Sequence, residues 1–176
     1  MYKLKEINEK YRLVKPSSKV AELGCAPGSW SQYLGGLVHS GDQIIGVDLL
    51  CMEPVKNVKF IRGDFTEPEI IELIHEWSGE NLLDLVLSDM APNITGISTI
   101  DQARALELQE RIVRFCDQSL KKGGHLLTKL FEGEGVKKMR SQLSTRFSQV
   151  QMIKPQASRS ESKEVFLLGR GFKGPE

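Results

Sequence analysis

Hydrophobic and polar positions along this chain follow two periods in turn, and the switches between them mark out strands and helices. Leu4, Ile7, Tyr11 and Leu13 recur at helical spacing among Lys and Glu, which predicts an amphipathic helix over residues 2–14, ending ahead of Pro16 and lying across a sheet. An apolar run at residues 19–23 reads as a first strand. Gly24-Cys25-Ala26-Pro27-Gly28 then turns the chain, and Ser29 is placed to cap a helix over 29–38 whose inner face is Trp30, Tyr33, Leu34 and Leu37. Further strands are expected at 43–48, 57–61, 82–89 and 125–131, with helices at 67–78, roughly 101–120 and near 135–146. Lys122-Gly123-Gly124 forms a turn before the strand at 125–131, and two last strands fall near 149–153 and 164–169.

Strands that alternate with helices over 176 residues imply one α/β domain, 1–176, built on a Rossmann-like, mostly parallel sheet. The last two strands are joined by about ten residues, too few for a helical crossover, so the C-terminal pair is expected to be antiparallel. In such sheets ligands bind at the carboxyl ends of the strands, where strand order reverses. Gly24, Asp48, Asp64 and Asp89 all fall at such ends.

Charge alters this picture more than composition does. The formal net charge is only +1, yet residues 1–20 carry six Lys/Arg against two Glu, residues 21–120 six against sixteen acids, and residues 121–176 twelve against five. Basic ends that fold onto one side would present a footprint for a polyanion, and the helix within residues 1–15 would help form it. Cys25, Cys51 and Cys116 are odd in number and far apart, and with three scattered histidines they offer no metal-binding spacing, so no metal is expected. No apolar run approaches a membrane span, and the N-terminus lacks a signal-peptide core. The expected setting is reducing and cytoplasmic, with a mitochondrial one as the alternative if a transit peptide has been removed.

An acid at the end of the second strand, Asp48, suits a ribose diol, a feature shared by nicotinamide and S-adenosylmethionine sites. The turn lacks G-x-G-x-x-G, contains Pro27 and has no basic side chain for a pyrophosphate. Asp64 is placed for an adenine amino group, Asp89 for a cationic amino-acid end, and the Trp30 ring for cation–π attraction to a sulfonium. Each aspartate alone would more often be a cap or turn former, but three at successive strand ends strain that explanation.

Glu22-Leu23-Gly24-Cys25-Ala26-Pro27-Gly28-Ser29-Trp30, Ser88-Asp89-Met90-Ala91-Pro92-Asn93, Lys129-Leu130-Phe131-Glu132-Gly133 and Lys154-Pro155-Gln156-Ala157-Ser158-Arg159 together resemble the FtsJ/RrmJ-type ribose 2′-O-methyltransferases, from about Tyr2 to Gly169. The resemblance implies a class I methyltransferase fold with seven strands, the last antiparallel, and helices on both faces. It implies S-adenosylmethionine as cofactor, bound at Gly24, Gly28, Trp30, Asp48, Asp64 and Asp89. It also implies a catalytic tetrad, which by motif position is Lys3, Asp89, Lys129 and Glu164. Lys129 would act either as a base or as a stabiliser of the forming alkoxide. Lys5, Lys10, Lys154, Arg159 and Lys163 are candidate RNA phosphate contacts. Such proteins usually carry a Ser-Arg-small stretch before the first lysine, whereas here the sequence begins almost on it; Cys25 and Glu22 replace a usual alanine and aspartate.

Among the branches of that family, the Asp48-Leu49-Leu50-x-Met52-x-Pro54 run most resembles the ribosomal one, which implies 2′-O-methylation of large-subunit ribosomal RNA, at a uridine of the peptidyl-transferase region, by a monomer whose partner is ribosomal RNA or the large subunit. Three alternatives stand beside it: methylation of a transfer-RNA anticodon loop, a nicotinamide dehydrogenase, and a non-catalytic RNA-binding assembly factor. The dehydrogenase leaves Asp64, Lys129 and Glu164 idle, and an intact tetrad argues against the assembly factor.

Overall fold

The computed structural model describes residues 1–40, 42–79 and 82–175. Val20–Leu23 (β1) and Leu83–Ser88 (β4) are buried on both faces save for half-buried Asp84, as central parallel strands are, and are apolar apart from Glu22, Asp84 and Ser88. Around them the sheet is completed by Ile44–Asp48 (β2), Val58–Arg62 (β3), Leu120–Phe131 (β5), Phe147–Ile153 (β6) and Glu164–Phe172 (β7). The order is β3-β2-β1-β4-β5-β7-β6. Strands β1 to β5 pair in parallel, and β7 runs antiparallel between β5 and β6. The chain leaves β1 toward β2 and β3, then returns to place β4 on the other side, so strand order reverses between β1 and β4.

Strand periodicity sorts side chains onto two faces. Ala21, Leu23, Val86, Leu126 and Leu130 share one core cluster with residues of Pro68–Ser78 (α3), Ser98–Ser119 (α4) and Glu134–Arg146 (α5). Val20, Leu85, Leu87, Leu127, Phe166 and Leu168 share the other with Leu4 and Ile7 of Tyr2–Tyr11 (α1) and Trp30 and Leu34 of Ser29–Leu37 (α2). Asp89, Lys129 and Glu164 continue the odd-numbered 85/87 and 127 rows and the even-numbered 166/168 row, which turns all three to the α1/α2 face at one end of the sheet.

The element boundaries differ from expectation where a local contact takes over. Helix α1 stops at Tyr11 because Arg12 is left-handed (φ 51°) and donates its N–H to the Asn8 carbonyl, while Asn8 Oδ1 accepts from Val14 N at 2.9 Å. Leu13 is buried all the same, from outside the helix. Ser29 does not cap α2. Gly28 holds the cap position at φ 114°, a conformation that favours glycine. Strand β5 includes Leu120, which pairs with Leu83 before residues 121–124 bulge out through Gly123 (φ 85°) and pairing resumes at His125 with Leu85.

Candidate active site

Four elements deliver the tetrad. From α1, Lys3 forms an ion pair and hydrogen bond with Glu164 Oε2 at the start of β7. From β5, Lys129 places Nζ 3.2 Å from Asp89 Oδ1, just beyond β4, and 3.8 Å from Glu164 Oε1. Lys3, Glu164, Lys129 and Asp89 thus make a continuous chain of alternating charge. Lys129 is its most enclosed member, with a side chain 11% exposed against 21% for Glu164. The two carboxyls are pushed apart in acidity. Burial raises Asp89 above the ordinary aspartate range against the opposing pull of Lys129. Burial acts in the same direction on Glu164, but the Lys3 hydrogen bond and the charges of Lys129 and Lys3 together hold it below the usual glutamate range.

The glycine turn lies beside this chain. A Cβ on Gly24 would sit 2.2 Å from Met90 Cγ, and one on Gly28 3.0 Å from Met52 Sδ, so both positions bring bare backbone against neighbouring side chains. Asp48 is anchored rather than free: Oδ2 accepts from Ala26 N and Oδ1 from Leu50 N, both at 2.9 Å. These bonds tie the end of β2 to the turn and orient the carboxylate. Asp64 performs the turn role common to aspartates, its Oδ1 accepting from Thr66 N at 2.9 Å and Thr66 Oγ1 at 2.7 Å, which leaves Oδ2 as the atom that can face a ligand.

Trp30 requires a correction. Its side chain is in the core, the residue only 4% exposed and the ring 5.9 Å from that of Phe166, so no open ring face awaits a sulfonium. Lys5 pairs with Glu9, Lys10 sits over the Tyr11 ring, and Lys154 bonds the Ser162 carbonyl at 2.9 Å with Glu132 at 3.6 Å. Arg159 and Lys163 lie on the segment between β6 and β7, and both are exposed.

Three residues near the site make contacts that the sequence reading did not assign. Glu22, 2% exposed in β1, accepts a hydrogen bond from Ser31 Oγ, and burial, reinforced by Asp89 and Asp48, pushes its carboxyl up to about 8. An acid inside an otherwise apolar strand was the visible signal. Glu6 clamps α1 onto the Lys154–Arg159 segment by accepting from Gln156 N at 2.7 Å and Ala157 N at 3.0 Å. Nothing in the linear pattern marks that contact. Gln109 of α4 is buried beside Gly135, and its neighbours in sequence make it look like an ordinary helix-surface residue.

The glycine turn carries no Lys or Arg between Gly24 and Trp30 and so offers no side-chain charge to a pyrophosphate, while Asp48 and Asp89 lie close enough to Glu22 to raise its carboxyl. The sequence profile of the FtsJ-like methyltransferases matches residues 1–172. A protein named ribosomal RNA large subunit methyltransferase E from Dichelobacter nodosus is 46% identical over 98% of this chain and 82% of its own length. One of the same name from Psychrobacter cryohalolentis is 48% identical over 95% of this chain and 80% of its own. Among solved structures, one described as a putative ribosomal RNA methyltransferase from Plasmodium falciparum superposes with TM-score 0.83 at 27% identity, covering 98% of this chain and 96% of that one. The fibrillarin pre-rRNA processing protein of Methanococcus jannaschii shares the fold at TM-score 0.65 and 16% identity, over 92% of this chain and 69% of its own. With a family profile running through nearly every element and relatives close to half identical along the same span, the chain belongs to the FtsJ-like methyltransferase family.

Proposed function

We propose that this chain transfers a methyl group from S-adenosylmethionine to a ribose 2′-hydroxyl of large-subunit ribosomal RNA, at a uridine of the peptidyl-transferase region. The observation that carries the reading is the Lys3–Glu164–Lys129–Asp89 chain, assembled from four elements at the carboxyl rim beside the glycine turn. The substrate class comes from the relatives that bear the name ribosomal RNA large subunit methyltransferase E. Work on that RNA places the protein where the large subunit is built, the cytoplasm in a bacterium.

When bound, S-adenosylmethionine supplies an electrophilic methyl group on a sulfonium, so the protein has to align three atoms and handle one proton. Gly24 and Gly28 let the donor lie on the main chain, the anchored Asp48 accepts from its ribose diol, and Asp64 Oδ2 from its adenine amino group. Asp89 faces the cationic amino-acid end and at the same time holds Lys129. Lys129 Nζ meets the acceptor oxygen and either takes its proton or stabilises its charge as the new O–C bond forms. Asp89 and Glu164 aim that ammonium, and Lys3 holds Glu164 in place. Arg159 and Lys163 contact phosphates directly, while Lys154 braces their segment against Glu132 and Lys5 and Lys10 add positive charge from α1. All four members of the tetrad come from one chain, so a monomer suffices.

The test is methyl transfer from labelled donor to large subunits that lack the modification, followed by mass mapping of the product nucleotide. Lys129→Ala should lower the rate at least about a hundredfold, on the order expected for a group that handles the reacting proton, with donor affinity retained. Substantial activity in that variant, or label on a base instead of a ribose, would remove the proposal.

A further inference from the structure

A cavity of about 560 Å³ opens on the α3/α4/α5 side of the sheet rim, across Met90 from the glycine turn. Lys129 lines it, so it borders the tetrad directly. Its walls are mainly apolar, formed by Met90, Leu108, Ile112 and Leu130. Into this lining projects Gln109, which is 6% exposed and whose side-chain amide has no hydrogen-bond partner in the protein among the described residues. The amide is not shut away from solvent: it opens onto the cavity, where it can offer a donor and an acceptor to a ligand.

We propose that this cavity receives the base of the nucleotide whose ribose is methylated, with the Gln109 amide pairing to its hydrogen-bonding edge. This rests on the reading of the tetrad as the ribose site. A ribose held at Lys129 on the α1/α2 side of the rim can send its base over the rim to the opposite side, where apolar walls suit its faces. A base edge such as that of uracil sets an N–H donor next to a carbonyl acceptor, the complement of a carboxamide. Enzymes that act on a nucleotide held in structured RNA must draw it out of its stack, and a pocket for the extruded base offsets the stacking that is lost. Lys163, also part of the lining, suits an adjoining phosphate.

The experiment pairs protein variants with a change in the RNA. One substrate is a large-subunit RNA fragment bearing the target nucleotide; the other is the same fragment with an abasic ribose there, its 2′-hydroxyl intact. Wild-type kcat/KM should fall about tenfold to a hundredfold on the abasic RNA, the usual worth of a well-made paired contact. Gln109→Met, close in size and helix propensity, should lose a similar factor on the intact RNA and nothing further on the abasic one. Ala105→Phe, which narrows the cavity from the half-buried wall of α4, should likewise matter only when a base is present. Thermal stabilisation by S-adenosylmethionine should be unchanged in both variants. Equal losses on both RNAs, or a wild-type enzyme indifferent to the missing base, would overturn the base pocket while leaving ribose methylation standing. A wild-type enzyme that places no methyl group on the ribose of either RNA would instead bring down the ribose-site reading and the pocket together.

Discussion

Replacing Glu22 with glutamine should change how the stability of this protein depends on pH, and the size of the change follows from the structure. Glu22 lies within β1 under α2, 2% exposed, with Ser31 Oγ donating to it and Asp48 and Asp89 nearby. Burial is the main reason its carboxyl titrates near 8 instead of 4.5, and the two aspartates add to it. Between those limits the folded chain holds a proton that the unfolded chain has released, so stability must fall as pH rises from about 4.5 to about 8. At about 1.4 kcal/mol per pH unit, the loss is about 5 kcal/mol by the time the folded carboxyl ionises. That is comparable to the whole stability of many small domains. A glutamine side chain at this position cannot ionise, keeps an acceptor for Ser31 and has nearly the same volume, so the stability profile of Glu22→Gln should lack this decline. Urea unfolding of wild type and Glu22→Gln at about pH 5 to 9 measures the difference directly, because other titrating groups are common to both. The curves should lie close together at about pH 5 and separate by several kcal/mol at about pH 9, with the variant more stable. Parallel profiles would mean that Glu22 is ionised in the folded protein, and the account of a neutral carboxyl under α2 would be wrong.

Other consequences are open to equally direct measurement. A Cβ at Gly46 would stand 2.8 Å from Cys25 Sγ, so Gly46→Ala should destabilise by about 1–3 kcal/mol in thermal unfolding, and adding Cys25→Ala should restore most of it; an additive double variant would contradict that contact. Backbone bonds from Gln156 and Ala157 hold the Glu6 carboxyl below its usual range, so the clamp should persist at neutral pH and be lost only on strong acidification. Accordingly, Glu6→Ala should speed amide exchange at residues 156 and 157 without altering global unfolding, and unchanged protection would show that the segment stands without α1. If Arg159 and Lys163 each neutralise a phosphate, replacing either with alanine should flatten the dependence of log RNA affinity on log salt by roughly 0.7 to 0.9. An unaltered slope would move the RNA path elsewhere.

Much of the fold was legible in the linear order of residues because period and punctuation are local properties. The alternation of apolar runs and helical spacing announces the mostly parallel sheet. The short link after residue 153 announces the antiparallel end, and Gly24, Asp48, Asp64 and Asp89 mark the strand-end rim on which the candidate site lies. Strand parity even encodes that Asp89, Lys129 and Glu164 share a face, since each continues a row of core residues. The structure alone decided what each side chain touches, because that depends on which distant elements pack together. Lys3 meets Glu164 across 161 residues, and Glu6 finds the Gln156 amide across 150. Trp30, suited by type to a cation, is claimed by Phe166 and the core; Asp48 and Asp64 each commit oxygen atoms to their own turns. Gln109, ordinary on a helical wheel, lends its amide to the wall of a cavity. Sequence sets which groups can reach the rim; burial and competition for hydrogen bonds, properties only of the packed chain, determine which of them remain free to act.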